Sequence, residues 1–446
     1  MNVRLAACFT ATLAAVLLGT SCATPPRDHA ASATRGPTRE VLPNGMRLII
    51  QEHRVSDVVA LHLWVGVGGR DELPGERGFS HFAEHMLFKG TSSRGAGFVD
   101  RDIEAVGGRT NAGTSWDYTF YYILLPASRA AQGIDILSDM AFNSVFDPVE
   151  LAREREVVFE EMRLGEDNLR NFLGRRLFYL TFRGESYGQA VLGDREMLRA
   201  SSQETLRGYY KRHYVPDNMT LVVVGAVDPA AVRAAVPRAF ATVPAQGHRR
   251  AIPPAPRPLD DSYREVRARP ERQASLALGW LAPPLGASDM FAADLLVHIL
   301  GGSQTSRLNQ ALRERQQLVS SVRASYSALQ GAGMIGISAL FEPDDLDKVE
   351  AAVLAEVKRL QDEGVTQAER DRAVTAAESR HVFSIETAEG RAYAYGMAET
   401  LWTLEGELKY LDGIRAVTRE QIQAAARTYL GTERARLALL PRDKVR

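Results

Sequence analysis

The sequence predicts an α+β fold built from two homologous halves, each an antiparallel-rich sheet packed with helices. Apolar strand-like runs are joined by hairpin signals such as Asn44-Gly45, and they do not alternate with helices in the regular order of a parallel sheet. The pattern of elements repeats weakly after a proline-rich segment at residues 244–258. Because 446 residues are too many for one ordinary domain, we predict domains at residues 39–243 and 259–446, with residues 244–258 as the linker.

The individual elements follow from hydrophobic periodicity and from turn residues. In the first half, a hairpin is predicted at residues 41–50, strands at residues 58–67, 110–125 and 220–227, and helices at residues 98–106, 127–142, 148–170, 202–214 and 228–241. In the second half, strands are predicted at residues 275–280, 321–326, 334–339 and 434–440, helices at residues 290–300 and 306–315, and two long helical stretches before the last strand. In each half a helix with an aromatic end, a turn and an apolar strand follow one another, at residues 209–224 and again at 424–440. This is the internal repeat.

The first 38 residues predict export. Residues 1–23 have a basic start and an apolar stretch too short for a membrane-spanning helix, as in a secretory signal, and residues 24–38 have the composition of a flexible tether. Two processing routes fit: ordinary cleavage near residue 23, or a lipoprotein signal in which Cys22 becomes the lipidated N-terminus. Both cysteines, Cys8 and Cys22, fall in or at the end of this signal, so the mature chain would form no internal disulfide. We expect a periplasmic protein or an outer-membrane lipoprotein, with the lipid as its sole membrane contact.

The charge balance argues against nucleic acid as a partner. The chain has 54 Lys and Arg against 55 Asp and Glu, a formal net charge of −1. Proteins that bind nucleic acid usually carry a basic patch or stripe, which this composition does not provide. The 45% hydrophobic content is that of an ordinary globular protein.

The most informative motif is His81-x-x-Glu84-His85. If the stretch is helical, His81 and His85 are four residues apart and share one face, where two imidazoles can hold one Zn²⁺. Glu84 can turn toward the same site and accept the proton of a metal-activated water. The alternative is a buried helix whose histidines are only hydrogen-bonded, since the surrounding residues are largely aromatic and aliphatic.

A third ligand should be an acid on another element. The predicted helix at residues 153–163 offers Glu154, Glu160 and Glu161. Glu154 and Glu161 are seven residues apart, which places them on one face, whereas Glu160 is off that register. The alternative for this segment is a solvent-exposed charged face, and spacing alone does not choose the ligand.

From about Leu42 to the C-terminus the chain resembles the insulinase/pitrilysin-type metallopeptidases, which include the mitochondrial processing peptidases. The resemblance is carried by Leu42-Pro43-Asn44-Gly45, Arg70-Asp71-Glu72, residues 81–91, Gly107-Gly108, Asn111-Ala112, and the group Tyr210, Tyr214, Pro216 and Asn218. It implies a clamshell of two halves over one zinc ion held by the first half. It also implies that Glu161, which lies 76 residues after His85, is the third ligand, and that Glu154 is a supporting acid.

The same resemblance implies how substrate is held. In the family, the edge of the strand at residues 110–125 faces the zinc and pairs with the substrate backbone, which is a general mode of peptide recognition. We assign substrate contact here to Asn111 and Ala112 alone. The alternative is an ordinary buried antiparallel strand with aromatic residues in the core.

The second half departs from the family pattern. Family members that act alone place an Arg, and a Tyr seven residues later, near the substrate carbonyl. Arg313 matches the first position, but Ser320 occupies the second, so one donor for the oxyanion is missing. We therefore expect a heterodimer with a metal-less homologue that supplies the Arg/Tyr pair, or else a homodimer. The alternative for Arg313 is a surface charge.

Together these patterns predict a zinc metalloendopeptidase that cleaves extended peptides or unfolded segments through a metal-activated water. One Zn²⁺ per chain would be bound by His81, His85 and Glu161, with Glu84 as general base and then as proton donor to the leaving amine. A non-catalytic chamber or assembly subunit of the same fold is the alternative function, and a zinc hydrolase acting on another bond is the alternative enzyme.

Overall fold

The computed structural model of the chain describes residues 36–251, 254–260 and 263–445. The predicted signal at residues 1–23, the lipidation candidate Cys22 and most of the tether lie outside the described residues, so export and lipidation stay predictions. Among the described residues, no helix has both the length and the apolar composition that crossing a bilayer requires.

The described part of the first half forms one mixed sheet surrounded by helices. Its strands are β1 (Thr38–Val41), β2 (Arg47–Glu52), β3 (Val58–Val65), β4 (Arg109–Thr114), β5 (Thr119–Pro126) and β6 (Met219–Gly225). Its helices are α1 (Phe79–Leu87), α2 (Phe98–Glu104), α3 (Ala130–Asn143), α4 (Pro148–Asp167), α5 (Leu169–Thr181), α6 (Arg195–Ala200), α7 (Gln203–His213) and α8 (Pro229–Phe240).

The described part of the second half forms a second sheet with its own helices. Its strands are β7 (Arg264–Arg269), β8 (Ala274–Ala282), β9 (Ser321–Ala328), β10 (Gly333–Phe341) and β11 (Ala435–Pro441). Its helices are α9 (Met290–Gly301), α10 (Leu346–Glu363), α11 (Gln367–Ser384), α12 (Ala388–Leu401), α13 (Leu404–Leu408), α14 (Tyr410–Ala416) and α15 (Arg419–Tyr429).

The two sheets share one topology. The strand order is β1-β2-β6-β3-β5-β4 in the first sheet and β7-β11-β8-β10-β9 in the second. Apart from the additional edge strand β1, the two orders correspond. In both sheets the last strand of the half pairs in parallel with an early one, β6 with β2 and β11 with β7, and the remaining pairs are antiparallel. The predicted α+β class with two antiparallel-rich halves is therefore confirmed, and the weak sequence repeat corresponds to a repeated topology.

The predicted strand at residues 110–125 is instead a hairpin, β4 and β5. The chain turns at residues 115–118, where the Ser115 amide donates to the Tyr118 carbonyl at 2.8 Å. The Asp117 side chain is almost fully buried in this turn and accepts from the Arg70 guanidinium, with Nε 3.1 Å from its Oδ1. Because Arg70 is distant in sequence, its ion pair with Asp117 gives no local signal of a turn. The alternating aromatic residues therefore predicted one continuous strand.

Two predicted helices also differ from the structure. The helix predicted at residues 148–170 ends at Asp167, because the Asn168 side chain accepts from the Asn171 amide at 3.0 Å and begins a new helix, α5. The helix predicted at residues 306–315 is a π-helical segment over Asn309–Arg315. Neither difference involves a strand, so the sheet topology is unaffected.

One helix of each half packs on the sheet of the other half. Helix α5 packs against β8 and β11, where Leu177 shares a core with Ala277 and Leu437. Helix α12 packs in the reciprocal way against β3 and β6. Its Gly396 lies against Trp64 so closely that a Cβ would fall 1.9 Å from the indole nitrogen. The two halves are therefore joined by buried apolar cores as well as by the linker.

Helix α1 lies on the other face of the first sheet. Phe82 and Met86 are fully buried in the core that also holds Leu63 and Tyr121. The helix contacts α4, α7 and β4. This packing fixes one face of α1 and leaves the opposite stripe to form the site.

Candidate metal centre

The motif residues occupy one partly exposed stripe of α1. His81, Glu84, His85 and Phe88 are each partly exposed, whereas the residues between them are buried. These positions follow the i, i+3, i+4, i+7 spacing of a helix face, as the sequence predicts.

The start of α1 is held in place by Glu72. Its carboxylate is buried and accepts the amide hydrogens of Gly78 and Ser80, each at 2.8 Å. Gly78 has φ 94°, and a Cβ there would lie 2.8 Å from the Leu192 carbonyl oxygen, so a side chain does not fit. The sequence shows Glu72 as part of a motif but does not show this capping role.

Three ligand atoms converge beside this helix. Glu161 Oε2 lies 3.6 Å from His81 Nε2 and 3.7 Å from His85 Nε2, and all three ligand atoms lie within 4.8 Å of one another. Zinc binds nitrogen and oxygen at about 2.0–2.2 Å, so tetrahedral ligand atoms are roughly 3.4 Å apart. The two Glu161 distances are close to this value, and the three donors are of the kind that zinc binds, with one tetrahedral position left open.

Glu154 lies behind His85, on the other ring nitrogen. His85 Nδ1 donates to Glu154 Oε2 at 3.0 Å, and Lys89 Nζ lies 2.8 Å from the second oxygen. Burial by itself raises the pKa of Glu154, but the hydrogen bonds from His85 and Lys89 outweigh it and the net shift is downward. An ionised Glu154 fixes the His85 tautomer and leaves Nε2 free for a metal. Lys89, which the sequence analysis does not single out, completes this arrangement.

The two imidazoles differ in their surroundings. Burial, followed by the neighbouring His85, lowers the pKa of His81 to about 3, so its ring is neutral at pH 7, the form that binds metal. Burial also lowers the pKa of His85, but the bond to Glu154 and other carboxylates reverse the shift, and its pKa is raised. Among the described residues, His81 Nδ1 is buried and has no hydrogen-bond partner.

Glu84 lies beside the ligand set and is hydrogen-bonded to Thr114. The Thr114 hydroxyl on β4 donates to Glu84 Oε2 at 2.5 Å. Burial raises the pKa of Glu84 despite this hydrogen bond. A carboxylate with a raised pKa, close to the ligands but not among them, is suited to exchange protons. Thr114 belongs to the polar stretch after Asn111, so its position was a signal that the sequence analysis did not use.

The candidate acids on α4 separate clearly. Glu161 lies at the imidazole pair, Glu154 lies behind it, and Glu160 is turned outward to pair with Arg163. This arrangement agrees with the roles that the family resemblance implies for Glu161 and Glu154.

The predicted substrate residues lie on β4, which is an edge strand of the first sheet. Asn111 pairs with Tyr122, and Ala112 pairs with Tyr121. Ala112 is therefore on the α1 face of the sheet and Asn111 on the opposite face. The exposed Arg313 lies in the π-helical segment and makes no hydrogen bond or ion pair with the described residues of the cluster, and Ser320 precedes β9, the edge strand of the second sheet.

Comparison with known proteins supports the family resemblance seen in the sequence. Residues 47–195 match the family model described as Insulinase (Peptidase family M16), and residues 201–377 match the model described as Peptidase M16 inactive domain. An uncharacterized zinc protease of Bacillus subtilis is 31% identical over 401 residues, covering 89% of this chain and 96% of the relative. One of Streptomyces coelicolor is 30% identical over 404 residues, covering 88% and 87%.

Solved structures share the fold. The crystal structure of a protease from Helicobacter pylori has a TM-score of 0.83 at 23% identity, covering 92% of this chain and 100% of that one. A peptidase M16 inactive domain from Pseudomonas fluorescens has a TM-score of 0.82 at 18% identity, covering 91% and 98%. The resemblance seen in the sequence is thereby confirmed, and the chain belongs to the insulinase family, peptidase family M16.

Proposed function

We propose that this chain is a zinc-dependent endopeptidase that cleaves extended peptides or unfolded segments. The observation that carries the proposal is the convergence of His81 Nε2, His85 Nε2 and Glu161 Oε2, with Glu84 left outside the ligand set. His81, His85 and Glu161 would hold one Zn²⁺ per chain. The naming of relatives as zinc proteases supports the choice of metal.

The chain's own residues account for the chemistry. The ion, when bound, would lower the pKa of a water molecule and polarise the substrate carbonyl. Glu84 would accept the proton from that water, because its raised pKa suits it to hold a proton until the leaving amine needs one. Thr114 would keep the Glu84 carboxylate pointing into the site between these two transfers.

Substrate would lie along the free edge of β4. An extended segment can add to an edge strand through backbone hydrogen bonds. Asn111 and Ala112 would contact it, and the contact between Thr114 and Glu84 places this edge beside the catalytic carboxylate. The added segment must leave its own fold to lie along this edge and reach the metal centre, so substrates would be extended or locally unfolded.

The sequence of the second half supports the proposal that the chain needs a partner subunit for full activity. Ser320 in place of a Tyr means that Arg313 lacks the companion donor that self-sufficient family members have. We propose a metal-less homologous partner that supplies an Arg/Tyr pair. We also propose that the protein is exported to the periplasm, either released after cleavage near residue 23 or anchored through a lipid on Cys22. The same Ser320 favours the alternative, a non-catalytic chamber or assembly subunit, but such a subunit would not need an intact ligand set.

The test combines zinc content with cleavage. The purified chain, alone and co-expressed with a homologous partner, is assayed on an unfolded protein before and after treatment with a chelator. We expect one zinc per chain and chelator-sensitive cleavage that increases with the partner. A metal-free chain, or no cleavage under either condition, would favour the non-catalytic alternative. Full activity of the chain alone would contradict the partner requirement.

A further inference from the structure

A cavity of about 690 Å³ lies on the face of the first sheet that is turned away from α1. Its floor is formed by β3 and β5, and its walls by α11, α12, α13 and α14 of the second half. The volume is within the usual range for ligand pockets, about 300–1,000 Å³. Its lining includes the large aromatic and aliphatic side chains of Phe120, Tyr122, Tyr393, Met397 and Tyr410.

The floor of the cavity is uncharged. His62 is 1% exposed and stacks on Tyr122, with ring centroids 5.3 Å apart. Burial lowers the pKa of His62 to about 3, so the ring is neutral at pH 7. Among the described residues, neither of its ring nitrogens has a hydrogen-bond partner. An uncharged aromatic floor favours an apolar group over a charged one.

Two charged groups of the wall, Glu389 and Arg380, have partners within the protein. Glu389 is paired with Arg109, and Arg380 Nη1 lies 2.9 Å from His298 Nδ1. Glu407 lies 3.7 Å from His381, and burial raises the pKa of Glu407 to about 7, so its carboxyl carries less than a full charge at neutral pH.

The cavity borders the strand that we propose receives the substrate. Tyr122 is the cross-strand partner of Asn111 on β4, and such partners share a face with Cβ atoms about 5 Å apart. Arg109, the first residue of β4, is bound to Glu389 of the cavity wall. Thr114, which contacts Glu84, is three residues along the strand from Asn111, roughly 10 Å. The cavity and the candidate metal centre therefore lie on opposite faces of one strand edge.

We infer that this cavity anchors a large apolar side chain, preferably aromatic, of the polypeptide substrate. Side chains of a strand added to β4 would alternate between the two faces of the sheet. Those on one face would meet the metal centre, and those on the other would meet Asn111, Tyr122 and then the cavity. At about 3.3 Å per residue, the anchored side chain lies about three to five residues from the bond that is cut. The inference rests on the proposed peptidase function and adds a specificity determinant to it.

The experiment fills the cavity and measures binding without cleavage. Ala394 lines the cavity on α12, so Ala394→Trp occupies part of its volume. Ala351→Trp on the exposed side of α10 is the matched control. Both are made in the zinc-loaded Glu84→Gln chain. Fluorescence anisotropy gives the Kd for two labelled peptides of equal length, with phenylalanine or with alanine at positions three to five on either side of the expected cleavage point.

We expect Ala394→Trp to raise the Kd of the phenylalanine peptide about tenfold and to leave the Kd of the alanine peptide unchanged. Ala351→Trp should change neither Kd. Equal Kd values for the two peptides before substitution, or an equal effect of Ala394→Trp on both, would overturn the inference. Circular dichroism checks the fold, and Ala394→Leu replaces Ala394→Trp if the larger residue prevents folding. If the chain with Glu84 cuts neither peptide but binding still depends on Ala394, the anchor stands and the peptidase proposal fails.

Discussion

His85 Nδ1 donates a hydrogen bond to Glu154 Oε2 at 3.0 Å, on the side of the ring opposite to the nitrogen that faces Glu161. A carboxylate in this position fixes both the tautomer and the orientation of a metal-binding imidazole. It does so without taking a coordination position itself. The relationship therefore explains why α4 carries two acids seven residues apart.

Replacing Glu154 by Gln should weaken zinc binding about 10- to 100-fold, because the partner of His85 loses its charge while its size is kept. Competition with a chromogenic chelator measures the zinc Kd. The control is Glu160→Gln on the same helix, where the side chain points outward to Arg163. Equal zinc affinity in Glu154→Gln and Glu160→Gln would show that Glu154 does not support the site.

Replacing Thr114 by Val should lower kcat and leave zinc content unchanged. The variant removes the hydroxyl that donates to Glu84 but keeps the β-branched shape of the side chain. Hydrogen bonds to charged groups contribute about 1.5–3 kcal/mol, so we expect a loss of roughly 10- to 100-fold. Thr110→Val, which removes a hydroxyl bound only to the Tyr122 carbonyl, is the control. A loss of zinc in Thr114→Val would assign Thr114 to metal binding instead.

The reciprocal exchange of helices predicts opposite effects of two glycine substitutions. Gly396→Ala on α12 would press a methyl group into Trp64 and should lower the free energy of unfolding by about 1–3 kcal/mol. Gly174→Ala on α5 meets nothing within 4 Å and should raise it by about 0.5–1 kcal/mol. Denaturant unfolding measures both. A stable Gly396→Ala protein would mean that α12 does not pack on the first sheet as described.

A partly buried ion pair in the second half predicts acid sensitivity. Arg307 Nε and Nη2 bind the two carboxylate oxygens of Glu369 at 2.7 and 2.9 Å. Burial raises the pKa of Glu369, but the bonds from Arg307 outweigh it and lower the pKa to about 2. A carboxyl with a lowered folded-state pKa stabilises the fold above its ordinary value near 4.5, and this contribution is lost as the pH falls from 4.5 toward 2.

Glu369→Gln should therefore cost about 2 kcal/mol at pH 7 and progressively less below pH 4.5. The amide can still accept at the helix N-cap, where Glu369 now bonds to the Thr366 amide, so the change isolates the charge. Urea unfolding at pH 7 and pH 3 measures the difference. Glu363→Gln, an exposed position at the end of α10, should show no such pH dependence. A cost for Glu369→Gln that is the same at both pH values would contradict the assignment.

The sequence predicted those features that depend on local rules. Asn44-Gly45 predicts the β1–β2 hairpin because a glycine tolerates positive φ, and Gly45 has φ 82° in the structure. The spacing of His81 and His85 predicts a shared helix face because 3.6 residues make one turn. The spacing of the acids on α4 reduces the number of candidates for the third ligand but does not identify which of them binds the metal.

Features that depend on distant contacts were not predictable from the sequence. The turn between β4 and β5 is stabilised by Arg70 and Asp117, which are brought together only by the fold. The packing of α5 and α12 on the opposite sheets has no local pattern, since an amphipathic or apolar helix does not encode which sheet it covers. The contact between Thr114 and Glu84 likewise requires that β4 and α1 be neighbours.

The most direct test of the central claim is zinc content and cleavage rate measured on one sample of the Glu84→Gln chain, with any partner the active form needs. The account predicts one zinc per chain, as in the unsubstituted protein, and a cleavage rate lower by about 10²–10⁴-fold. Glu84→Gln protein that retains zinc and cleaves at the unsubstituted rate would contradict the assignment of Glu84 and, with it, the mechanism.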